Sequence, residues 1–276
     1  MLSAEIARAF EAACRAELSA LKPGNVHIFA AGHGMEVAQF EHAAAAAAPA
    51  VAEADLNVGA RIEAAVQASL AVAGCNTNLG IILLCVPLAA AAEQGPGDLQ
   101  ARLRAVLDSL DVADAQGAFR AIVAANPGGL GAVPDADVRA SPTITLKAAM
   151  AMAAGRDSIS RQYVTGFEDI FSLGVPALGE RPLARERVEA AYLAFLATFP
   201  DSHLARKFGT AAAEAVQAEA QTVRAQVEGL KGQQRHDRLL AFDGRLKARG
   251  LNPGTTADLT VASIFASLLA RPQQAD

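Results

Sequence analysis

The chain has 276 residues, 52% of them hydrophobic and 19% charged, which is ample apolar material for one large core. A net charge of -5 argues against a nucleic-acid binder, since such a protein needs a basic face to neutralise phosphates. Cys14, Cys75 and Cys85 form no CxxC pair and are odd in number, which argues against a disulfide framework and against structural zinc.

Alanine dominates, aromatics make up only 5% and Trp is absent, so helix formers far outweigh strand formers. No window alternates strictly between apolar and polar residues. The expectation is an all-α protein: a single compact multi-helix bundle over residues 1–276, with its site at polar helix junctions. Acids inside the opening apolar pattern, without a basic stretch, are unlike a signal peptide, so a cytoplasmic protein is expected.

In chain order, the first helix has Ile6, Phe10, Cys14 and Leu18 at a spacing of four, with Ser3 as its expected N-cap and Glu5 nearby. Glu17 falls close to this apolar stripe, either at the rim of the core or inside a site. Lys22-Pro23-Gly24 ends the helix. An irregular stretch follows, with His27 and the Gly-flanked His33; with no obvious third ligand, a zinc site is not expected there. Helices are predicted near 36–54, 59–75, 79–93 and 98–125, then near 144–154, 157–172, 182–198, 203–229, 234–249 and 256–270. The turn from Asn126 to Gly131 divides the two sets. Between Ala64 and Ala92 there is no charged residue, but Asn76, Thr77 and Asn78 interrupt the run. Amides at that depth of a bilayer are costly, so two buried helices meeting at a polar turn are expected, not a membrane span.

Four polar, Gly-containing junctions stand out: Lys22 to His27 with Gly32 to Met35, Cys75 to Gly80, Asp201 to Gly209, and Asn252 to Leu259. Each alone reads as helix capping. His42 and His236 read as surface or internally satisfied residues. Together the junctions gather amides, hydroxyls, Lys22, Lys207, three histidines and the acids Asp201 and Asp258 at helix ends. Helix N-termini and Gly turns present N–H groups to phosphates, and carboxylates beside them can hold Mg²⁺. Neither a P-loop nor the HExxH or GxSxG motifs are present.

The order of these junctions resembles the triphosphoribosyl-dephospho-CoA synthase family, which prepares the prosthetic group of citrate lyase and malonate decarboxylase. The resemblance spans about residues 14 to 270 and rests on Glu17 with Lys22-Pro23-Gly24-Asn25-Val26, on Gly32 to Met35, on Asn76-Thr77 through Gly80, on Asp201-Ser202-His203, and on Asn252-Pro253-Gly254-Thr255-Thr256-Ala257-Asp258-Leu259. It departs from the family pattern where Asn78 and Leu79 replace a His and a cation, and where the early loop lacks an acid. The segments Lys22 to His27, Gly32 to Met35 and Arg161 to Phe171 resemble a branch associated with methylotrophs and tetrahydromethanopterin genes.

The resemblance implies a reaction of ATP with 3′-dephospho-CoA that releases adenine, with Mg²⁺ on the triphosphate. It implies Glu17 and Asp258 as metal or oxocarbenium-stabilising carboxylates, Asp201 as a further metal ligand, and His33 or His203 as the proton-handling group. Lys22 and Lys207 would meet phosphates, and Asn76, Thr77 and Asn78 ribose or phosphate oxygens. Gly24, Asn25, His27, Gly254, Thr255 and Thr256 complete the implied nucleotide site. Two other readings stay open at this level: a nucleotide-using enzyme of another cofactor pathway with a different acceptor, and a non-catalytic helical binding or assembly protein. Oligomeric state is open too, since an Ala-rich helical face could pair into a homodimer.

Overall fold

The structure, a computed structural model, describes residues 1–30, 34–126, 141–179 and 183–270. His33 and the turn beyond Asn126 therefore lie outside the described residues. The chain is all-α: fourteen α-helices and one π-helical turn, with no strand among the described residues.

The first six helices are α1 (Ser3–Leu18), α2 (Val37–Val51), α3 (Val58–Ala73), α4 (Leu79–Glu93), α5 (Leu99–Ser109) and α6 (Val112–Ala125). Then come α7 (Leu146–Ala153), α8 (Ser158–Thr165), the π-turn Ile170–Gly174, α9 (Val175–Leu178) and α10 (Arg185–Thr198). The chain continues with α11 (Ser202–Phe208), α12 (Thr210–Val227), α13 (Gly232–Ala248) and α14 (Gly254–Leu269).

Three of the long predicted helices are broken. The span 98–125 divides at Leu110, which turns extended so that Asp111 can cap α6 by accepting from the Asp114 N–H. The span 157–172 stops at Gly166 and Phe167, both at positive φ, before the π-turn. The span 203–229 breaks at Gly209, whose φ of 89° is open to glycine. At the first helix the N-cap is Leu2, not Ser3, and Glu5 accepts from the Leu2 N–H. That helix also ends at Leu18, before the Lys22-Pro23-Gly24 turn.

The uncharged run forms α3 and α4 joined by the polar turn Gly74 to Asn78, as expected. Of the 15 residues of α4, 12 are buried, so apolar residues surround it on every side and it runs through the main core. Each large aliphatic side chain buried there stabilises the fold by about 1.5–3 kcal/mol. Pro49 and Pro87 sit inside α2 and α4. No described helix is long and apolar enough to cross a membrane.

The backbones of α3 and α6 nearly touch, since a β-carbon on Gly117 would meet the Gly59 carbonyl at 2.4 Å. A second apolar cluster joins α10 to α11, α12 and α13, around Tyr192, Leu204, Val216 and Phe242. Helix α14 packs against α1, α4 and α10 and so carries its first turn to the middle of the molecule.

Candidate active site

A cavity of about 400 Å³ opens where the first turns of α4, α8, α11 and α14 converge beside the end of α1. Its charged lining comprises Glu17, Arg156, Asp157, Arg206 and Asp258. Further polar groups are supplied by Asn25, Asn76, Thr77, Ser160, His203 and Asn252. The apolar wall includes Met35, Phe40, Leu79, Phe119 and Met150.

Glu17 is buried in the last turn of α1, where Lys22 reaches back to its Oε1. Lys22 Nζ also donates to Asn25 Oδ1 at 2.8 Å and to the Val26 carbonyl at 2.7 Å. An ammonium has three N–H donors, and all three are spent. Burial lowers the Lys22 pKa and raises that of Glu17, in each case against the pull of the partner charge. Lys22 does not line the cavity; it holds Glu17 and Asn25 at its edge.

The turn below is held from three sides. Asp243 accepts the Gly24 N–H at 2.8 Å, the Tyr192 hydroxyl donates to the Pro23 carbonyl at 2.8 Å, and Asn25 donates to Asn252 at 2.7 Å. His27 is buried within this support, 3.2 Å from Asp243 and 3.3 Å from Lys247, and its Nδ1 accepts from the Phe29 N–H. Burial lowers its pKa, so the ring is neutral, and it does not reach the cavity.

Asp201 is the N-cap of α11. Its Oδ1 accepts from the Leu204 N–H at 3.0 Å, and its Oδ2 from the N–H and hydroxyl of Thr256 at 2.7 and 2.8 Å. Burial raises its pKa and these hydrogen bonds oppose the rise. Thr255 Oγ1 accepts from the His203 N–H at 3.2 Å. Asp201, Thr255 and Thr256 thus clamp α11 to α14 behind the cavity, while His203, Gly254 and Asp258 line it.

Asp258 accepts no hydrogen bond and forms no ion pair among the described residues. Burial, then the like charges of Asp201 and Glu17, push its pKa well above the ordinary carboxylate value, and Arg206 opposes them. A carboxylate kept without hydrogen-bonding partners at a cavity wall is costly to the fold.

At the α4 junction, Asn76 and Thr77 line the cavity, but Asn78 is buried, and its amide, assigned with the nitrogen toward the Thr77 carbonyl, bridges that carbonyl and the Ala44 N–H. Lys207 is exposed and stacks over Phe208. Its neighbour Arg206 lines the cavity instead, donating to Asp157 at 2.6 Å, and Arg156 joins it. These two arginines, with Asp157, are the charged cavity groups that the sequence reading passed over. Asp157 had a readable signal, because it caps α8 by accepting from the Ser160 N–H at 2.9 Å. Arg206 stands next to the scarce Lys207 that drew attention to the junction, and only the turn of α11 separates their directions.

The sequence matches the profile of the ATP:dephospho-CoA triphosphoribosyl transferases over residues 3–276. The chain belongs to this family. A crystal structure from Archaeoglobus fulgidus, provisionally named a triphosphoribosyl-dephospho-CoA synthase, is 26% identical with a TM-score of 0.67. That similarity covers 83% of this chain and 97% of the archaeal one. No curated protein sequence matches significantly. Seen against the triphosphoribosyl transferase family pattern, the two departures differ in weight. Asn78 faces away from the cavity into the core, so the change from His at that position leaves the cavity lining to other groups, whereas Leu79 does place an apolar side chain in it.

Proposed function

We propose that this cavity transfers the triphosphoribosyl group of ATP to a ribose hydroxyl of 3′-dephospho-CoA and releases adenine. Family membership favours this reading over an enzyme of another cofactor pathway and over a non-catalytic protein. The observation that carries it is the partnerless carboxylate of Asp258 in one cavity with Glu17, Arg156 and Arg206.

The acceptor oxygen bonds to the ribose carbon as the bond to the adenine nitrogen breaks, and the hydroxyl proton ends on adenine. Positive charge builds on the ribose carbon, and the carboxylates of Glu17 and Asp258 stabilise it. His203, beside Gly254 at the mouth of α14, is the described histidine placed to carry the proton. The triphosphate meets Arg156, Arg206 and the N-terminal ends of α4, α8 and α14, whose dipoles favour anions. Asn76, Thr77 and Asn25 supply amide and hydroxyl groups to ribose oxygens.

A Mg²⁺ ion fits a narrower donor set than the sequence implied. Among the described residues no three His, Cys, Asp or Glu side chains gather closely enough to hold a metal, and both oxygens of Asp201 are already engaged. Glu17 and Asp258 would hold an ion carried in on the triphosphate, which suits a cation that usually binds one or two carboxylates beside phosphates. When bound, the ion supplies neutralisation of phosphate charge. We place the enzyme in the cytoplasm, where both substrates would meet it.

The segment from Arg161 to Phe171 argues less for a C1-cofactor branch than its sequence did. Arg161 and Gln162 both donate to Asp169, and Tyr163 donates to the Leu83 carbonyl at 2.6 Å, so these residues lock α8 to the π-turn and α4. The deciding experiment is adenine release from ATP, measured with and without 3′-dephospho-CoA, with the product identified by mass. Release that requires the acceptor supports the reading; equal release without it, or tight ATP binding with no turnover, refutes it.

A further inference from the structure

The first turns of α4 and α14 meet at Gly80 and Asp258. A β-carbon built on Gly80 would stand 2.1 Å from Asp258 Oδ2, 2.5 Å from its Cγ and 2.8 Å from Ile159 Cδ1. Real β-carbons essentially never approach atoms closer than 3.0 Å. The backbone gives no reason for glycine there, because Gly80 is helical and is not among the glycines at positive φ. Glycine within a helix even costs about 1 kcal/mol relative to alanine. The missing side chain is therefore explained by what stands opposite.

Other close glycines in the fold serve packing alone. Gly59 and Gly117 let two backbones approach, and Gly174 makes room for the Ser263 hydroxyl, which is itself bonded to the Leu259 carbonyl. At Gly80 the opposing atom is an oxygen of a cavity carboxylate that accepts no hydrogen bond among the described residues. Asp258 is thus held by shape. The bare Cα of Gly80 is one wall of its seat, and Ile159 Cδ1 borders the same notch on the Gly80 side.

We propose that Gly80 is a positioning residue: the notch left by its missing side chain seats the Asp258 carboxylate by contact with Oδ2, without a hydrogen bond to either oxygen. The inference rests on the reading of Asp258 as the carboxylate that supports ribosyl transfer. Seating by shape suits that role. A hydrogen bond would fix the carboxylate but would also draw charge from the oxygen that must face the ribose carbon. The place also favours a carboxylate electrostatically, because Gly80 is the second residue of α4 and the helix dipole is positive there.

The test is Gly80→Ala in the otherwise unaltered enzyme and in an Asp258→Asn background. Alone, Gly80→Ala should lower kcat for adenine release at least tenfold, with KM for ATP within about threefold of the parent. In the Asp258→Asn background it should change the residual rate less than twofold, because the group it acts through is already disabled. An unchanged kcat, or a full tenfold loss in both backgrounds, overturns the inference. An unchanged rate in Asp258→Asn alone would instead refute the reading of Asp258 on which the inference rests and leave the transfer reaction standing. Should Gly80→Ala not fold, Gly80→Ala with Ile159→Ala relieves the second clash of the added methyl and carries the same kinetic comparison. If that pair fails to fold as well, Gly80 serves the fold and not the carboxylate, and the inference is overturned.

Discussion

Asp201 Oδ2 accepts both the N–H and the hydroxyl of Thr256, at 2.7 and 2.8 Å, so the cap of α11 also caps the first turn of α14. One buried carboxylate thereby fixes the relative position of His203, Arg206, Gly254 and Asp258. Asp201→Ala leaves the Leu204 and Thr256 donors unpaired in a buried place, a loss of about 2–4 kcal/mol in unfolding free energy. Denaturant midpoints measure it. A variant as stable as the parent would show that the clamp is dispensable.

Asp258 should trade stability for chemistry. Its pKa is raised in the folded state by burial and by Asp201 and Glu17, so the folded protein holds a proton that the unfolded chain has released. Stability then falls as pH rises from the ordinary aspartate value through the raised one. Asp258→Asn removes this penalty and should raise the melting temperature at neutral pH by about 2–4 °C, the change that roughly 1 kcal/mol produces in a domain approaching this size. The gain should vanish in acid, where both states are protonated, and adenine release should drop to a small residual rate at every pH. In the parent enzyme the acid limb of activity should lie above the range of an ordinary aspartate.

Lys22 and Glu17 are best separated by a double-mutant cycle. Lys22→Met strands a buried Glu17 carboxylate and should cost about 3–5 kcal/mol in urea unfolding. Lys22→Met with Glu17→Gln should recover part of that loss, because no buried charge is then left alone. Glu17→Gln by itself should slow adenine release by about a hundredfold or more. Unchanged turnover in that variant would remove Glu17 from the chemistry.

Arg206 and Lys207, adjacent in sequence, should behave oppositely. Arg206→Ala removes a cavity cation and should raise KM for ATP by about tenfold or more, in line with the 1.5–3 kcal/mol of a hydrogen bond to a charged group. Lys207→Ala should stay within about twofold of the parent. A larger effect at Lys207 would reverse the assignment made from exposure.

Much of this arrangement was legible beforehand, for identifiable reasons. The Ala-rich composition and the spacing of four at Ile6, Phe10, Cys14 and Leu18 specify helix locally, and Gly24, Asn76 and Asp201 mark junctions because capping chemistry is local too. The helix breaks at Leu110 and Gly209 were not legible. A leucine suits a helix interior, and an isolated glycine inside a helical pattern is often tolerated. Lys22 and Lys207 looked alike as scarce cations beside turns, yet one is consumed by Glu17, Asn25 and Val26 and the other faces solvent. Nothing in a linear pattern reports how many donors a lysine has already spent.

The sequence by itself therefore determined the helical class, the junctions and their order, because propensity, capping and apolar periodicity are properties of neighbours along the chain. Only the tertiary structure decided which polar residues of each junction face the cavity and which brace it. Asp201 and Asp258 carry the same side chain in polar junctions of the sequence, but the first is saturated by Leu204 and Thr256 while the second is left bare against Gly80. That difference arises from helices brought together across 55 residues for Asp201 with Thr256 and well over a hundred for Asp258 with Gly80, where packing fixes the direction of each side chain.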